Sequence, residues 1–318
     1  MTTTTDGLRG GTGRRTARWV GEAASRWWFT PVPRARIAAF RVLVYAFVPL
    51  DVLVLRTSGE KHGYVDPELY RPVLFARILP LPTPTPTLVH AVQYGMVLIA
   101  IALVVLIVSD RAGRWQAALG ATLFLLYLEW MFISFSYGKV DHDRFAFLLA
   151  LAVLPTAGRA ALRDMTPSQA AGWSLRMVQV GAVATYFLAA VAKVRFGGWG
   201  WVNSTTIARA VIRRGTMFAD PLLQMPWTLQ LTQWFIMTFE FASPVLLFLR
   251  PKFQQYAVAF LVCFHVMTYA MIRIIFMPHV VCLAAFLPLE KILNRTRPAP
   301  DAPDAPDAPA SSVPSPQV

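Results

Sequence analysis

Gln179, Tyr186 and Lys193 recur at seven-residue steps inside one apolar run. Residues seven apart differ by only about 20° around a helix axis, so the three share a face. Lys193 places an ionisable amine at the outer end of that run. The next apolar run repeats the pattern with Gln233 and Glu240, and Ser243 continues that face. A third run carries His265, Tyr269 and Arg273 at four-residue steps. Three polar stripes on successive runs predict an internal polar cavity. Asp51 and Glu129 add two further ionisable groups to runs that are otherwise apolar. Such groups cost several kcal/mol in a bilayer unless paired or facing a wet cavity, so each is a functional candidate. The alternatives are a structural ion pair for the acids, snorkelling for Lys193 and Arg273, and hydrogen-bonded packing for His265. Asp141, His142 and Asp143 have metal-ligating side chains, but three adjacent loop residues rarely converge on one ion. No metal is expected. Cys263 and Cys282 both lie in apolar segments and read as small apolar residues.

The elements that must position these groups are transmembrane helices. Of 318 residues 56% are hydrophobic and 15% charged, against roughly a quarter charged in soluble domains. That balance excludes an ordinary soluble enzyme. The net charge of +13 gathers at the ends of apolar runs and in the first 36 residues, which is the distribution of a membrane protein in contact with lipids and not of a nucleic-acid binder. Eight runs meet or approach the roughly 20 residues a bilayer requires: 37–55, 88–109, 115–135, 145–157, 173–194, 229–249, 254–274 and 275–290. The fourth and eighth are short and carry Pro155, Pro278 and Pro288. Each run is continuous, not alternating, so the expected fold is an all-α helical bundle of about eight spans, not a barrel.

Arg111 and Arg114, Arg159 and Arg163, Arg250 and Lys252, and Lys291, Arg295 and Arg297 all fall on one side with the basic N-terminus. The positive-inside rule makes that side cytoplasmic, giving a multi-pass protein of the cell membrane with both termini inside. Segment 195–228 disagrees: Arg195, Arg209, Arg213 and Arg214 lie on the outer face with Trp199 and Trp201. Either it is a structured, partly embedded element, or the span count is off by one. The other long outer loop, 56–87, contains the proline run LPLPTPTPT and is expected to be partly extended. The chain therefore divides into a basic N-terminal segment (1–36), a transmembrane domain (37–292) and a Pro/Ala/Asp-rich tail (293–318) expected to be disordered.

Three motifs carry a family resemblance. YFLAAVAKVRFGGWGW, Tyr186 to Trp201, resembles the Tyr, Ala/Gly, Lys, Trp signature of the vitamin K-dependent gamma-carboxylases and their bacterial relatives, the HTTM (horizontally transferred transmembrane) proteins. SYGKVDHDRFAFLL, Ser136 to Leu149, is similar to the polar turn with a histidine before an apolar helix. Glu240 followed by Phe264 and His265 is the third match, and the resemblance covers residues 36–292 or so.

The resemblance implies that Lys193 deprotonates a reduced quinone of the menaquinol or vitamin K hydroquinone type, whose reaction with oxygen yields a stronger base. It implies that His142 hydrogen-bonds the oxygen-bearing intermediate. Tyr186, Trp199 and His265 would line the ring pocket, with Glu240, Asp141, Arg273 and Glu129 around the substrate or cavity. Two departures stand out. Ala192 precedes Lys193 where the family often has a basic residue, and the chain ends soon after the eighth run, where the carboxylases continue into a large domain. The expected substrate is therefore small, lipidic or a short peptide. An accessory membrane protein for maturation, export or immunity of a secreted peptide is the alternative reading. A small-solute transporter is disfavoured, because no inverted repeat or pair of glycine-broken helices is visible.

Overall fold

The computed structural model describes residues 21–295 except 56–57, 80, 112, 114, 138–139 and 141. The Pro/Ala/Asp tail and the first 20 residues lie outside the described residues. Helix α1 (Arg34–Leu50) continues through a π-helical turn, Asp51–Leu55. It is followed by α2 (Pro86–Val108), α3 (Trp115–Phe135) and α4 (Phe145–Val153). Then come α5 (Gln169–Gly197), α6 (Thr206–Arg214), α7 (Pro226–Ala242), α8 (Pro251–Ile272), α9 (Met277–Leu283) and α10 (Leu289–Arg295).

Among the described residues six helices are long and apolar enough to cross a membrane: α1, α2, α3, α5, α7 and α8, with α1 and α7 counted through their continuations. The fold is a helical bundle, and the count of eight resolves into these six plus two short apolar helices, α4 and α9. Their brevity has a local cause. Pro155 opens a 3₁₀ turn after α4 that ends at Gly158 with φ of 70°, and Pro278 stands in the first turn of α9. The long helices start at side-chain caps where the sequence supplies them. Thr85 accepts from the Leu88 N–H, and Ser168 from the Ala171 N–H. Between α1 and α2 the proline run holds 81–85 out of regular structure, as expected of it.

One face of the bundle gathers the termini of these helices. Val32–Pro33 (β1) pairs antiparallel with Pro167–Ser168 (β2), Arg36 forms a bidentate pair with Glu290 at 2.8 and 2.7 Å, and Trp27 stacks on Phe248. The basic positions Arg159, Arg163, Arg250, Lys252 and Lys291 are thereby brought to the same side as the start of α1. There the Thr166 hydroxyl and N–H, helped by Arg34, hold the Asp164 carboxyl below its ordinary range. Arg41, which sequence reading passes over, is 1% exposed. Its guanidinium donates to the carbonyls of Leu154 and Gly158 and to Gln116, satisfying orphan carbonyls where α4 ends.

Gly172, in the first turn of α5, allows the closest backbone approach on this face. A Cβ there would stand 1.9 Å from the Thr30 carbonyl oxygen. Gly172→Ala is therefore expected to cost about 1–3 kcal/mol by overpacking, read as a lowered thermal midpoint in detergent. Gly200→Ala, where a Cβ meets nothing within 4 Å, is the matched control. Equal midpoints for the two variants would contradict the contact.

Asp51 is completely buried. Pro49 lacks the N–H that would continue the α-helical ladder, and the π-helical turn that follows sets the Asp51 carboxylate against its neighbours. The carboxylate accepts from Arg144 Nη2 at 2.9 Å and from the Tyr127 hydroxyl at 2.8 Å. Arg144 Nη1 also reaches Asp143 at 3.2 Å. This ion cluster ties α1, α3 and the turn before α4 together.

Candidate functional site

A cavity of about 920 Å³ lies between α3, α4, α5, α7, α8 and α9 and is roofed by α6. The lining is mainly apolar. The expected polar cavity is thus corrected to an apolar one with a few convergent polar groups, because most wall positions are Ala, Leu, Ile, Met and Phe.

Lys193 and Glu240 meet on this wall. Nζ lies 2.6 and 2.5 Å from the two carboxylate oxygens, and the Trp201 ring sits 5.3 Å from Nζ. Their helices make this possible. Lys193 stands one turn before Gly198 (φ 68°) ends α5, and Glu240 stands near the end of α7, which packs beside it. Bidentate contact between two groups of opposite charge neutralises both in a medium that would otherwise penalise either. The lysine is therefore a partnered group, not one set in the apolar wall alone.

Two turns earlier on α5, the Tyr186 hydroxyl lies 2.7 Å from His265 Nε2. His279 joins them, its ring edge-on to Tyr186 with centroids 4.6 Å apart and 5.5 Å from the His265 ring. Phe276 lies 5.0 Å from His265 and 6.3 Å from His142, again between ring centroids. All three histidines line the cavity, as does Arg144. Among the described residues no group of three His, Cys, Asp or Glu is placed to hold a metal.

Other sequence candidates fall elsewhere. Trp199 is 70% exposed and stacks on Phe241, outside the cavity wall; the indole that reaches the site is Trp201, two residues on. The 3₁₀ turn Trp199–Asn203 reverses the chain and sends alternate tryptophans in different directions. Arg273 is exposed in the left-handed conformation just past the end of α8, and Tyr269 is 53% exposed. Only His265 of that third stripe turns inward, because four-residue steps drift around the helix. Glu129 is half-buried on α3 and is not part of the cavity lining. Asp141 lies outside the described residues.

Segment 198–225 is structured. Gln233, buried on α7, donates to the carbonyls of Val202 and Ser204 and accepts from the Ile207 N–H. This staple holds the Trp201 turn and α6 over the cavity, with Ile207 and Val211 facing it. Gln233 supports the roof and lies outside the cavity lining.

A family model of the HTTM domain matches residues 29–291, from just before β1 into α10. The chain belongs to the HTTM family. The match spans every element that builds the cavity of this HTTM protein. No curated protein and no solved structure matches the chain.

Two participants in the HTTM site were not singled out by sequence. Arg144 was hidden because it adjoins a polar turn, where an arginine attracts no notice. His279 meets the same criterion that marks His265, a ring nitrogen inside an apolar run, but its neighbour Pro278 makes the run read as a helix boundary.

Proposed function

We propose that this HTTM protein is a vitamin K-dependent gamma-carboxylase-like membrane enzyme that uses a reduced quinone and oxygen to generate a strong base. The observation that carries the reading is the Lys193–Glu240 pair on the wall of a large apolar cavity. A volume of about 920 Å³ is within the range of small-molecule sites, which combine apolar walls with few polar groups. Tyr186, His265, His279, Lys193 and Trp201 would hold such a ring. A quinol bound there supplies, with oxygen, a base stronger than any side chain.

Lys193 and Glu240 handle the proton. Transfer from Nζ to a carboxylate oxygen 2.5 Å away leaves a neutral amine beside a neutral acid, so the base form arises with no bare charge in the apolar wall. Trp201 and the α6 roof limit water access to the pair. His142 lines the cavity beside Phe276, whose ring also meets His265. The substrate is small, lipidic or a short peptide, and the protein sits in the cell membrane with its basic face cytoplasmic.

The test is to purify the protein in mild detergent, identify any co-purifying quinone by mass spectrometry, and follow quinol consumption under oxygen for wild type and Lys193→Ala. Oxygen-dependent consumption by wild type that vanishes in the variant supports the enzyme. Two folded proteins with no bound quinone and no consumption would replace it with an accessory or immunity role beside a secreted peptide.

A further inference from the structure

The segment between α5 and α7 carries Arg195, Arg209, Arg213 and Arg214 against a single acid, Asp220. It lies at the end of α5 opposite the β1–β2 pair, away from the basic face, so the charge bias between the two ends of the spans does not account for it. Helix α6 is sharply two-sided. Ile207 and Val211 line the cavity, while Arg209 and Arg213 stand two residues beyond each, a rotation of about 200° that turns them to the opposite face. Arg209, Arg213 and Arg214 are exposed, and none of the three guanidiniums has a hydrogen bond or ion pair with another described residue.

Apolar side chains surround this charge. Phe196, Trp199, Ile212, Met217, Phe218 and Trp227 are between 62% and 81% exposed. Water disfavours so much aromatic and aliphatic surface in one segment. The boundary between lipid headgroups and acyl chains accepts it, with Trp and Phe sunk into the boundary and arginines reaching the phosphates above. The backbone is fixed for this. Gln233 holds the Trp201 turn and the start of α6, and Thr216 bonds the carbonyls of Ala270 and Met271 at the end of α8, two residues before the exposed Arg273.

We propose that the outward face of α6 is a docking surface for the phosphate headgroups of anionic phospholipids. Charge and surroundings together select this occupant. A guanidinium fork matches a phosphate through two parallel hydrogen bonds, and Arg209 and Arg213, one turn apart, present theirs on the same face. A soluble acidic partner would leave the flanking aromatic side chains in water. Because the reverse face of α6 roofs the cavity, headgroups bound on the outward face hold that roof in place. The surface is separate from the cavity and does not rest on the quinol chemistry.

The experiment uses the full chain in lipid nanodiscs. Cys263, the exposed cysteine, is replaced by alanine, and Ile212→Cys carries a bimane fluorophore beside the arginines. Quenching is compared between phosphatidylglycerol and phosphatidylcholine, each bearing a nitroxide near the top of one acyl chain. With the arginines intact the anionic lipid should be enriched around the label at least fivefold, the worth of one arginine at an anionic surface, and added salt should reduce the preference. Replacing Arg209, Arg213 and Arg214 by glutamine should bring the two lipids close to equality. The same replacement of Arg159, Arg250 and Lys252 at the other face should leave the preference intact. Equal quenching by both lipids, a preference that survives loss of the three α6 arginines, or one that the other face controls would overturn the proposal. So would a preference abolished by excess glycerol phosphate in solution, which would make the face a site for free anions.

A depth measurement needs no arginine variant. A nitroxide on Phe218→Cys, in the same background, should meet oxygen more readily than a water-soluble nickel chelate. The reverse order would put the segment in water and overturn the docking surface.

Discussion

Arg144→Met is expected to destabilise the protein by about 3–5 kcal/mol, because it leaves the Asp51 carboxylate buried and unpaired. Asp51 is completely buried and the Arg144 side chain only 8% exposed, so water offers little relief. The Tyr127 hydroxyl at 2.8 Å remains, but a single neutral donor does not neutralise a charge. The neighbouring Asp143, at 3.2 Å from Arg144, loses its cation as well. Thermal unfolding in detergent, followed by tryptophan fluorescence, reads the effect. The double variant Arg144→Met with Asp51→Leu should recover much of the loss, since an apolar pair of similar volume often replaces a buried ion pair at little cost. A single variant within about 1 kcal/mol of wild type would show that the cluster is hydrated, and the account of how α1, α3 and the turn before α4 are joined would be wrong.

The second large effect is expected at Glu240. Under the proposed chemistry Glu240→Gln should lower oxygen-dependent quinol consumption about 10²- to 10⁴-fold, the usual worth of a positioned proton-transfer group. The amide is nearly isosteric and can still accept from Lys193, so the geometry of α5 against α7 is kept. What it cannot do is take the proton. The lysine then stays an ammonium until water removes the proton, and water is limited by Trp201 and the α6 roof. Quinone binding should change much less than turnover, which separates proton handling from positioning. If Glu240→Gln turned over as wild type does, the carboxylate would be a structural counter-ion only, and the neutral-pair account of Lys193 would fall. The same assay on Lys193→Ala must then be read as loss of a cation and not loss of a base.

Much of this was legible in the residues. Long continuous apolar runs dictate helices, since no other form satisfies the backbone in lipid, and the six long helices stand where those runs stand. The stripe argument works only in part where the step is seven: Tyr186 and Lys193 face one cavity, whereas Gln179 accepts from Arg176 and donates to the Ala285 carbonyl, and Gln233 supports the roof from outside the lining. It fails where the step is four and the helix is short of partners, as at Tyr269 and Arg273, because a 40° drift at each step turns successive residues away. Grouping was not legible. Asp51, Glu240, His265 and Glu129 divide among an ion cluster, the cavity and the edge of α3, since distance around the bundle is not encoded in position along a span.

What the sequence by itself determined is the membrane bundle, the basic face and which helices carry ionisable groups, all consequences of transfer free energy and helical period acting along one chain. Who partners whom was decided only by the tertiary structure. Lys193 meets Glu240, Asp51 meets Arg144, Trp201 reaches the cavity where Trp199 does not, and His279 packs edge-on against Tyr186. Each of these depends on how helices distant in sequence are rotated against one another, and a local pattern carries no information about that rotation.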